Sequence, residues 1–291
     1  MAEAFTLRSE VDGTELAAWR WAPARGDVRA NVVIAHGAGE HARRYDEFAE
    51  ALARHDLAVW ALDHRGHGRS ARPDALGDFG DGGWEGLVAD LGQLASHACE
   101  RHPGAPTILF GHSMGSLAAQ QLLVERSRLL EGVILSGTTC FDFLADAGAA
   151  GGLAAFNAPF EAAGEGRTGF EWLSRDAARV DAYLADPFCG FDPAPAAIEG
   201  MFAAAAGLAG ADAFRRVRGD LPVLIVAGDA DPLNANWTLV ECLAERLTAA
   251  GLADLEVHRH AQARHELLHE THREEVVGEL LGWIEGVIAR Y

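Results

Sequence analysis

A Gly-x-Ser-x-Gly pentapeptide at residues 111–115 is the part of the sequence best suited to covalent chemistry. It follows an apolar, β-prone run over residues 106–110 and precedes a helical periodicity over residues 117–124. At a strand-to-helix junction this motif makes a sharp turn that projects the serine hydroxyl above the sheet, and its glycines leave room where a Cβ would collide. The pattern predicts Ser113 as a nucleophile, with the positive end of a helix pointing at any oxyanion formed there.

The partners of this serine can be sought by their order along the chain. A serine hydroxyl is a weak nucleophile unless a base removes its proton and a carboxylate orients that base. With this motif the acid follows the serine, and the histidine follows the acid. A strand-like run ends in a glycine turn, where we predict Asp231 as the acid and keep Asp229 as the alternative. The loop after the next strand carries His265, our predicted base, although His258 and His260 in that strand compete for the role.

Composition excludes several other kinds of chemistry. All 24 basic residues are arginines, and the absence of lysine removes Schiff-base chemistry, pyridoxal phosphate attachment, a Ser-Lys dyad and a Walker phosphate loop. The formal net charge is −19, and the sequence contains no basic stretch. Both observations argue against nucleic acid and anionic membranes as partners. The four cysteines form no Cys-x-x-Cys pair and indicate reduced structural thiols. We expect neither a cofactor nor a metal ion.

The first residues and the apolar runs indicate the compartment. Residues 1–13 alternate apolar and polar side chains and lack the charged n-region and apolar h-region of a signal peptide. The apolar runs are too short to span a bilayer. We therefore expect a soluble, cytoplasmic monomer or homodimer without stable membrane insertion, acting on a small-molecule substrate.

Strand-like and helical patterns alternate along most of the chain. The strand-like runs cover residues 4–8, 16–21, 31–35, 58–62, 107–110, 133–135, 222–226 and 255–258. Helical periodicity occurs at residues 44–54, 84–101, 117–126, 237–250 and 273–288. Two antiparallel-looking strands followed by repeated strand-helix units predict an α/β fold with a doubly wound, mostly parallel sheet.

The alternation breaks between residues 139 and 216, where Ala, Gly and Phe are abundant and no convincing strand occurs. We predict a helical cap inserted into the α/β core, with core residues 1–139, cap residues 140–215 and core residues 216–291. The cap carries seven aromatic side chains that are suited to lining an acyl-chain tunnel, although packing of the cap on the core explains most of them. They are Phe156, Phe160, Phe170, Trp172, Phe188, Phe191 and Phe202, with Phe160 and Phe188 as the predicted substrate-binding residues.

Five motifs in a fixed order make the sequence similar to a known family. They are His-Gly-Ala-Gly-Glu-His at 36–41, Asp-His-Arg-Gly-His-Gly-Arg-Ser at 63–70, the serine turn at 111–115, Gly-Asp-Ala-Asp at 228–231 and Arg-His-Glu-Leu-Leu at 264–268. The chain resembles the serine-hydrolase branch of the α/β-hydrolase fold that contains monoacylglycerol lipases, lysophospholipases and bacterial relatives. The resemblance covers most of the chain and is weakest in the cap.

The resemblance implies an oxyanion hole formed by the backbone N–H groups of Ala38 and Met114. It also implies that Glu40 and Arg44 help to order the polar head of a glyceride, with a plain helix-end charge pair as the alternative. With the aromatic cap, it predicts hydrolysis of an apolar carboxylic ester, a monoacylglycerol or lysophospholipid first, through an acyl-enzyme. A thioesterase or amidase would use the same triad, and a non-catalytic scaffold of this fold would have lost it.

Residues 265–269 also fit the His-Glu-x-x-His zinc motif, with Glu279 or Glu285 as a third ligand of a zinc hydrolase. That motif requires both histidines inside one helix, a turn apart, whereas this segment follows a strand by only a few residues. We therefore predict no metal site here and expect His269 to be a partly exposed helix residue.

Overall fold

The structure, a computed structural model, describes residues 2–23, 26–72, 74–141 and 152–291, which contain one eight-stranded sheet. The strands are β1 (Ala2–Arg8), β2 (Glu15–Trp21), β3 (Ala30–Ala35), β4 (Leu57–Leu62), β5 (Thr107–His112), β6 (Gly132–Ser136), β7 (Val223–Gly228) and β8 (Leu255–His260). Each strand coincides with a predicted strand-like run, to within a few residues at either end.

The sheet has the order β1-β2-β4-β3-β5-β6-β7-β8. The first three strands of that order pair antiparallel, and every later pair is parallel. Strands β3 to β7 are buried at every residue, as parallel strands are when helices cover both faces. Because their carboxyl ends share one edge, the loops after β3, β5, β7 and β8 meet there.

Helices cover both faces of this sheet. They are α1 (Asp46–Arg54), α2 (Gly83–Arg101), α3 (Met114–Arg126), α4 (Ala158–Ala162), α5 (Ala177–Ala185), α6 (Pro195–Gly207), α7 (Thr238–Ala249) and α8 (Arg273–Ile288). Alternate side chains of one strand point to different cores. Val33 belongs to the core that contains side chains of α2, α3 and α7, whereas Ile34 belongs to the core that contains side chains of α1 and α8. The predicted doubly wound α/β architecture is therefore confirmed. Within the described residues no helix has the length and apolar character needed to cross a membrane.

The insertion between β6 and β7 carries α4, α5 and α6. Prolines occupy the first turns of α4 and α6, where the missing N–H leaves no helical hydrogen bond unmade. Residues 152–222 contain no strand. Residues 142–151 of the predicted cap lie outside the described part of the chain. The insertion is the helical cap that the sequence predicts.

Candidate active site

Ser113 lies on the turn between β5 and α3 with a strained backbone, φ 52° and ψ −122°. Its N–H donates to the carbonyl oxygen of Ser136 at 3.0 Å, which attaches the turn to the end of β6. Close packing excludes side chains from the flanking glycines: a Cβ on Gly111 would lie 2.6 Å from the carbonyl oxygen of Gly115, and one on Gly115 would overlap that of Ala35. The turn has the geometry expected of a nucleophile elbow, and Ser113 remains partly exposed.

His265 and Asp231, on the loops after β8 and β7, meet in a short hydrogen bond. Nδ1 of His265 lies 2.7 Å from Oδ2 of Asp231, and both side chains are buried. The other carboxylate oxygen of Asp231 accepts from the N–H of Leu233 at 2.9 Å. Because a carboxylate only accepts, Nδ1 carries the proton, which leaves Nε2 as the basic atom. Within the described part of the chain, nothing is hydrogen-bonded to Nε2.

The charge of Asp231 sets the proton affinity of His265. Burial lowers the pKa of the imidazole, but the negative charge of Asp231 and its hydrogen bond outweigh burial, so the pKa of His265 is raised above 6.5. The arrangement therefore stabilises an imidazolium next to the serine turn. The imidazole ring of His112, the residue before the serine, lies 4.8 Å from that of His265.

The competing candidates lie elsewhere. Asp229 accepts hydrogen bonds from Nε of Arg259 at 3.1 Å and from the N–H of Gln262 at 2.6 Å, so it stabilises the loop after β8. His258 contacts Glu279 at 2.7 Å, and the ring of His260 faces a histidine that precedes α8. The structure thus places Asp231, and not Asp229, against the candidate base.

A largely apolar cavity of about 320 Å³ opens at Ser113, with Ala38 and Met114 also in its wall. The predicted oxyanion-hole residues therefore lie beside the serine. Most of the remaining wall comes from apolar side chains of the core and the cap, including Phe79, Leu117, Phe156, Met201, Phe202 and Leu233. A cavity of this size and lining is typical of a site for an apolar small molecule.

The predicted tunnel residues Phe160 and Phe188 do not line this cavity. Phe160 packs in a small cap cluster with Trp172, and the guanidinium of Arg264 lies 4.3 Å from its ring. Phe188 has its ring 6.0 Å from that of His41. Two other members of the predicted aromatic set, Phe156 and Phe202, line it instead. The hydrophobic periodicity of the sequence could not distinguish the aromatic residues that line the cavity from those that do not, because the cap helices do not present a regular apolar stripe to the cavity.

Glu40 and Arg44 form a buried network behind the predicted oxyanion loop, outside the cavity wall. Glu40 accepts from the N–H of Gly37 at 2.5 Å and from the hydroxyl of Tyr45 at 2.8 Å. Arg44 donates to Glu40 at 2.6 Å and to both oxygens of Glu266 at 2.5 and 2.8 Å. Burial raises the pKa of Glu40, but Arg44 and other nearby charges outweigh it and hold that pKa well below its usual range. The network thus joins the loop after β3 to the residue that follows His265.

Sequence reasoning missed Glu266 as the partner of Arg44. The two residues are 222 positions apart, and no spacing rule relates them. The one available signal was that Glu266 directly follows the candidate base His265. A charged side chain in a buried loop needs a partner of opposite charge, so this position could have indicated an ion pair.

The zinc motif at residues 265–269 lacks its structural context. His265 lies in a loop bonded to Asp231, Leu267–His269 form a single 3-10 turn, and α8 begins only at Arg273. The carboxylate of Glu266 is occupied by Arg44. His269 is partly exposed, as expected, but it ends a 3-10 turn and does not lie in an α-helix. Burial of its ring lowers its pKa to about 4.

Comparison with known proteins places the chain among hydrolases. The family described as "Serine aminopeptidase, S33" matches residues 26–272. The chain is 32% identical over 274 residues to a monoacylglycerol lipase of Mycolicibacterium smegmatis, covering 91% of this chain and 90% of that one. It is 34% identical over 230 residues to a monoglyceride lipase of Rattus norvegicus, covering 76% of this chain and 71% of the relative.

A solved structure agrees with these relatives. The thermostable carboxyl esterase from Bacillus coagulans, solved in complex with glycerol, superposes with a TM-score of 0.85 at 26% identity and covers 99% of both chains. Its fold is that of the sheet and inserted helices described above. The chain therefore belongs to the serine aminopeptidase S33 family of the α/β-hydrolase fold.

Proposed function

We propose that this chain hydrolyses carboxylic esters of apolar acyl chains, monoacylglycerols first, with Ser113, His265 and Asp231 as its catalytic triad. The enzyme is a carboxylic ester hydrolase. The observation that carries the proposal is the 2.7 Å hydrogen bond between His265 and Asp231. The imidazole of His265 lies 4.8 Å from that of His112, the residue before the strained Ser113, which opens into an apolar cavity. Members of a triad are recognised by this geometry and not by their spacing in the sequence.

The reaction proceeds in two displacement steps. Nε2 of His265 takes the hydroxyl proton of Ser113 as the oxygen attacks the ester carbonyl, and Asp231 stabilises the imidazolium. The imidazolium then gives its proton to the leaving alkoxide, and the acyl group remains on Ser113. Water repeats the attack, with His265 again as the base, and releases the carboxylic acid.

The N–H groups of Ala38 and Met114 are the proposed oxyanion hole. Met114 begins α3, so its N–H belongs to the positive end of that helix. Ala38 lies in the loop after β3, which Glu40 holds through the N–H of Gly37. Loss of one such donor typically costs about 3 kcal/mol of transition-state stabilisation.

The cavity favours an uncharged, lipid-like ester. Its described lining is apolar apart from Ser113, Thr139 and Asp192, and it includes no arginine or histidine that could pair with a phosphate. Arg44, the nearby buried cation, is already paired with Glu40 and Glu266. Among the two expected substrates, a glyceride head group therefore fits better than a lysophospholipid head group. The similarity to proteins named monoacylglycerol lipase supports the same choice.

The cap provides much of the cavity wall, and we assign it to residues 140–215 between core residues 1–139 and 216–291. The strong negative charge of −19 disfavours anionic bilayers, so monomeric or micellar esters are the proposed substrates.

The test is hydrolysis of a chain-length series of 1-monoacylglycerols by the wild type and by Ser113→Ala. We expect serine-dependent turnover with a maximum at medium or long chains. Matched thioesters and amides of the best acyl chain test the alternative activities. Faster turnover of either analogue than of the glyceride would overturn the proposed ester specificity, and equal turnover by Ser113→Ala would overturn the mechanism.

A further inference from the structure

One aromatic side chain of the cap lies directly against the candidate base. The indole of Trp172 and the imidazole of His265 have ring centroids 4.9 Å apart, with an angle of 39° between their planes. Both residues are almost fully buried, with 3% and 1% of their surfaces exposed. Trp172 comes from the 3-10 turn Glu171–Leu173 of the insertion, 93 positions before His265. The contact therefore joins the cap to the catalytic centre.

The backbone of the same cap turn is hydrogen-bonded to the loop that carries the base. The N–H of His265 donates to the carbonyl oxygen of Trp172 at 3.2 Å, and the N–H of Glu266 donates to that of Leu173 at 2.8 Å. Ser174 continues the contact by donating from its hydroxyl to the carbonyl oxygen of His269 at 2.8 Å. Relative to the base loop, Trp172 is thus fixed through both its backbone and its ring.

The geometry of the His265–Asp231 hydrogen bond shows why a neighbouring ring matters. That bond fixes the Nδ1 side of the imidazole, but the ring can still tilt about the line that joins the two side chains. Tilting moves Nε2 away from the serine, and a displacement of about 1 Å in a catalytic group can cost on the order of 100-fold in rate. A flat, buried ring packed at 4.9 Å removes this freedom.

We propose that Trp172 is a positioning residue that orients the imidazole of His265 toward Ser113, so that the cap forms part of the catalytic machinery. The proposal rests on the proposed triad. The indole face also attracts the positive charge that develops on His265 during acylation, since cations are stabilised over aromatic rings. Trp172 itself lies outside the cavity wall, although its ring packs 5.2 Å from that of Phe156 in the wall. Its effect through the base is therefore the part that a reaction independent of the acyl cavity measures.

The first test compares Trp172→Leu with Trp172→Phe, which keeps a flat ring. The readouts are the second-order rate of fluorophosphonate labelling of Ser113, and kcat and KM for the best monoacylglycerol. Labelling needs the base but not the acyl cavity. We expect Trp172→Leu to slow labelling and kcat about 10- to 100-fold with KM nearly unchanged, and Trp172→Phe to recover most of that loss.

Phe170→Leu is the matched control. Phe170 belongs to the same cap cluster and packs against Tyr183, with ring centroids 5.5 Å apart, but its ring does not contact His265. The variant loses a comparable amount of cap packing and should label within about threefold of the wild type, since the base keeps its neighbour. Equal slowing in Phe170→Leu and Trp172→Leu would overturn the proposal, because the effect would then come from general loosening of the cap.

A measurement on the wild type keeps the proposal testable if Trp172→Leu does not fold. Nuclear Overhauser effects between the indole protons of Trp172 and the carbon-bound ring protons of His265 are expected at this separation, and their absence would overturn the contact. Labelling of Ser113→Ala separates the two hypotheses. If Ser113→Ala is labelled as fast as the wild type, the proposed triad is refuted. If labelling requires Ser113 but proceeds at equal rates in the wild type and in Trp172→Leu, only the role of Trp172 is refuted.

Discussion

At the scale of single residues, the charge of His265 depends on two opposing effects. Burial favours the neutral imidazole, while Asp231 favours the imidazolium and outweighs burial. In the proposed mechanism His265 must be neutral when it takes the proton of Ser113. Its raised pKa therefore places the loss of activity on the acid side of the pH profile.

The pH dependence of kcat/KM tests this balance. We expect kcat/KM for an activated ester to fall as the pH drops through the pKa of His265, which lies above the ordinary 6.5, and to level off at higher pH. In Asp231→Asn the charge that raises the pKa is gone while burial remains, so the acid limb should move to lower pH. The plateau should also fall by about 10⁴-fold. An unmoved acid limb in this variant would contradict the assignment of Asp231; Asp229→Asn is the matched control.

The three residues of the candidate triad were predictable because each follows a strand that the sequence marks clearly. The order serine, acid, histidine then leaves few choices, and the structure brings Asp231 and His265 together at 2.7 Å. The cavity wall was not predictable in the same way. Phe156 lines it and Phe160 does not, a difference that depends on how a five-residue helix packs.

At the scale of elements, the elbow depends on the close approach of α3 to β3. A Cβ on Gly115 would overlap the carbonyl oxygen of Ala35, and neither backbone can move freely inside the sheet. We expect Gly115→Ala to lower the free energy of unfolding by about 1–3 kcal/mol or more and to reduce activity. Gly282→Ala is the control, because Gly282 is exposed on α8 with no atom near its missing Cβ. It should raise the free energy of unfolding by about 1 kcal/mol.

Urea unfolding of both variants measures these changes. A Gly115→Ala variant as stable as the wild type would contradict the close contact between α3 and β3.

The strand ends also contain a buried cluster of histidines, His36, His64 and His67. The rings of His36 and His64 lie 4.3 Å apart, and neither ring nitrogen of His64 has a hydrogen-bond partner in the described part of the chain. Burial lowers the pKa of His36 to about 3 and that of His67 to about 4, and it lowers the pKa of His64 strongly as well. The folded protein therefore keeps these rings neutral.

This cluster predicts acid sensitivity. Below the ordinary pKa of 6.5 the unfolded chain binds a proton at His64 that the folded chain does not, so stability falls as the pH drops below 6.5. His64→Leu removes this proton-binding site. The decrease in the free energy of unfolding on acidification should therefore become shallower by about 1.4 kcal/mol per pH unit. Urea unfolding of wild type and variant between neutral and mildly acidic pH measures the slopes. Parallel slopes would show that His64 is protonated in the fold.

Strands were easier to predict than cap helices for a physical reason. Each buried strand is a short apolar run bounded by turn residues, whereas α6 is apolar around much of its surface and rich in alanine. Such a helix has no single stripe from which its orientation can be inferred.

At the scale of the whole molecule, Arg44 joins three distant parts of the chain. It pairs with Glu40 of the loop after β3 and with Glu266 of the base loop, and its guanidinium lies 4.7 Å from the ring of Tyr183 in the cap. The hydroxyl of Tyr183 in turn donates to the carbonyl oxygen of Gly39 at 2.8 Å. Arg44 therefore supports the proposed oxyanion loop, the loop that carries His265 and the cap together.

Removal of this cation should destabilise the fold. Arg44→Met leaves the buried carboxylates of Glu40 and Glu266 without their cation and should lower the free energy of unfolding by about 3–5 kcal/mol. Adding Glu266→Gln removes one of those charges and should restore part of the loss, as denaturant unfolding of the single and double variants would show. A double variant no more stable than Arg44→Met would contradict the ionic origin of the effect.

Contacts of this range could not be predicted from the sequence, because no local pattern records them. Cys140 and Cys242 give another example, since their Sγ atoms lie 3.0 Å apart although 102 positions separate the two residues. Chain order and local pattern sufficed for the sheet and the candidate triad, whereas the supporting contacts arise only when the cap and the core pack.

Mass spectrometry of the protein after reaction with a fluorophosphonate, alongside ester hydrolysis, is the most direct test of the proposed mechanism. We expect one adduct on the peptide that contains Ser113, formed as hydrolysis is lost. In Ser113→Ala we expect no adduct and a turnover lower by about 10⁶-fold. Hydrolysis that survives in Ser113→Ala, or an adduct on another residue that tracks the loss of activity, would contradict the proposed mechanism.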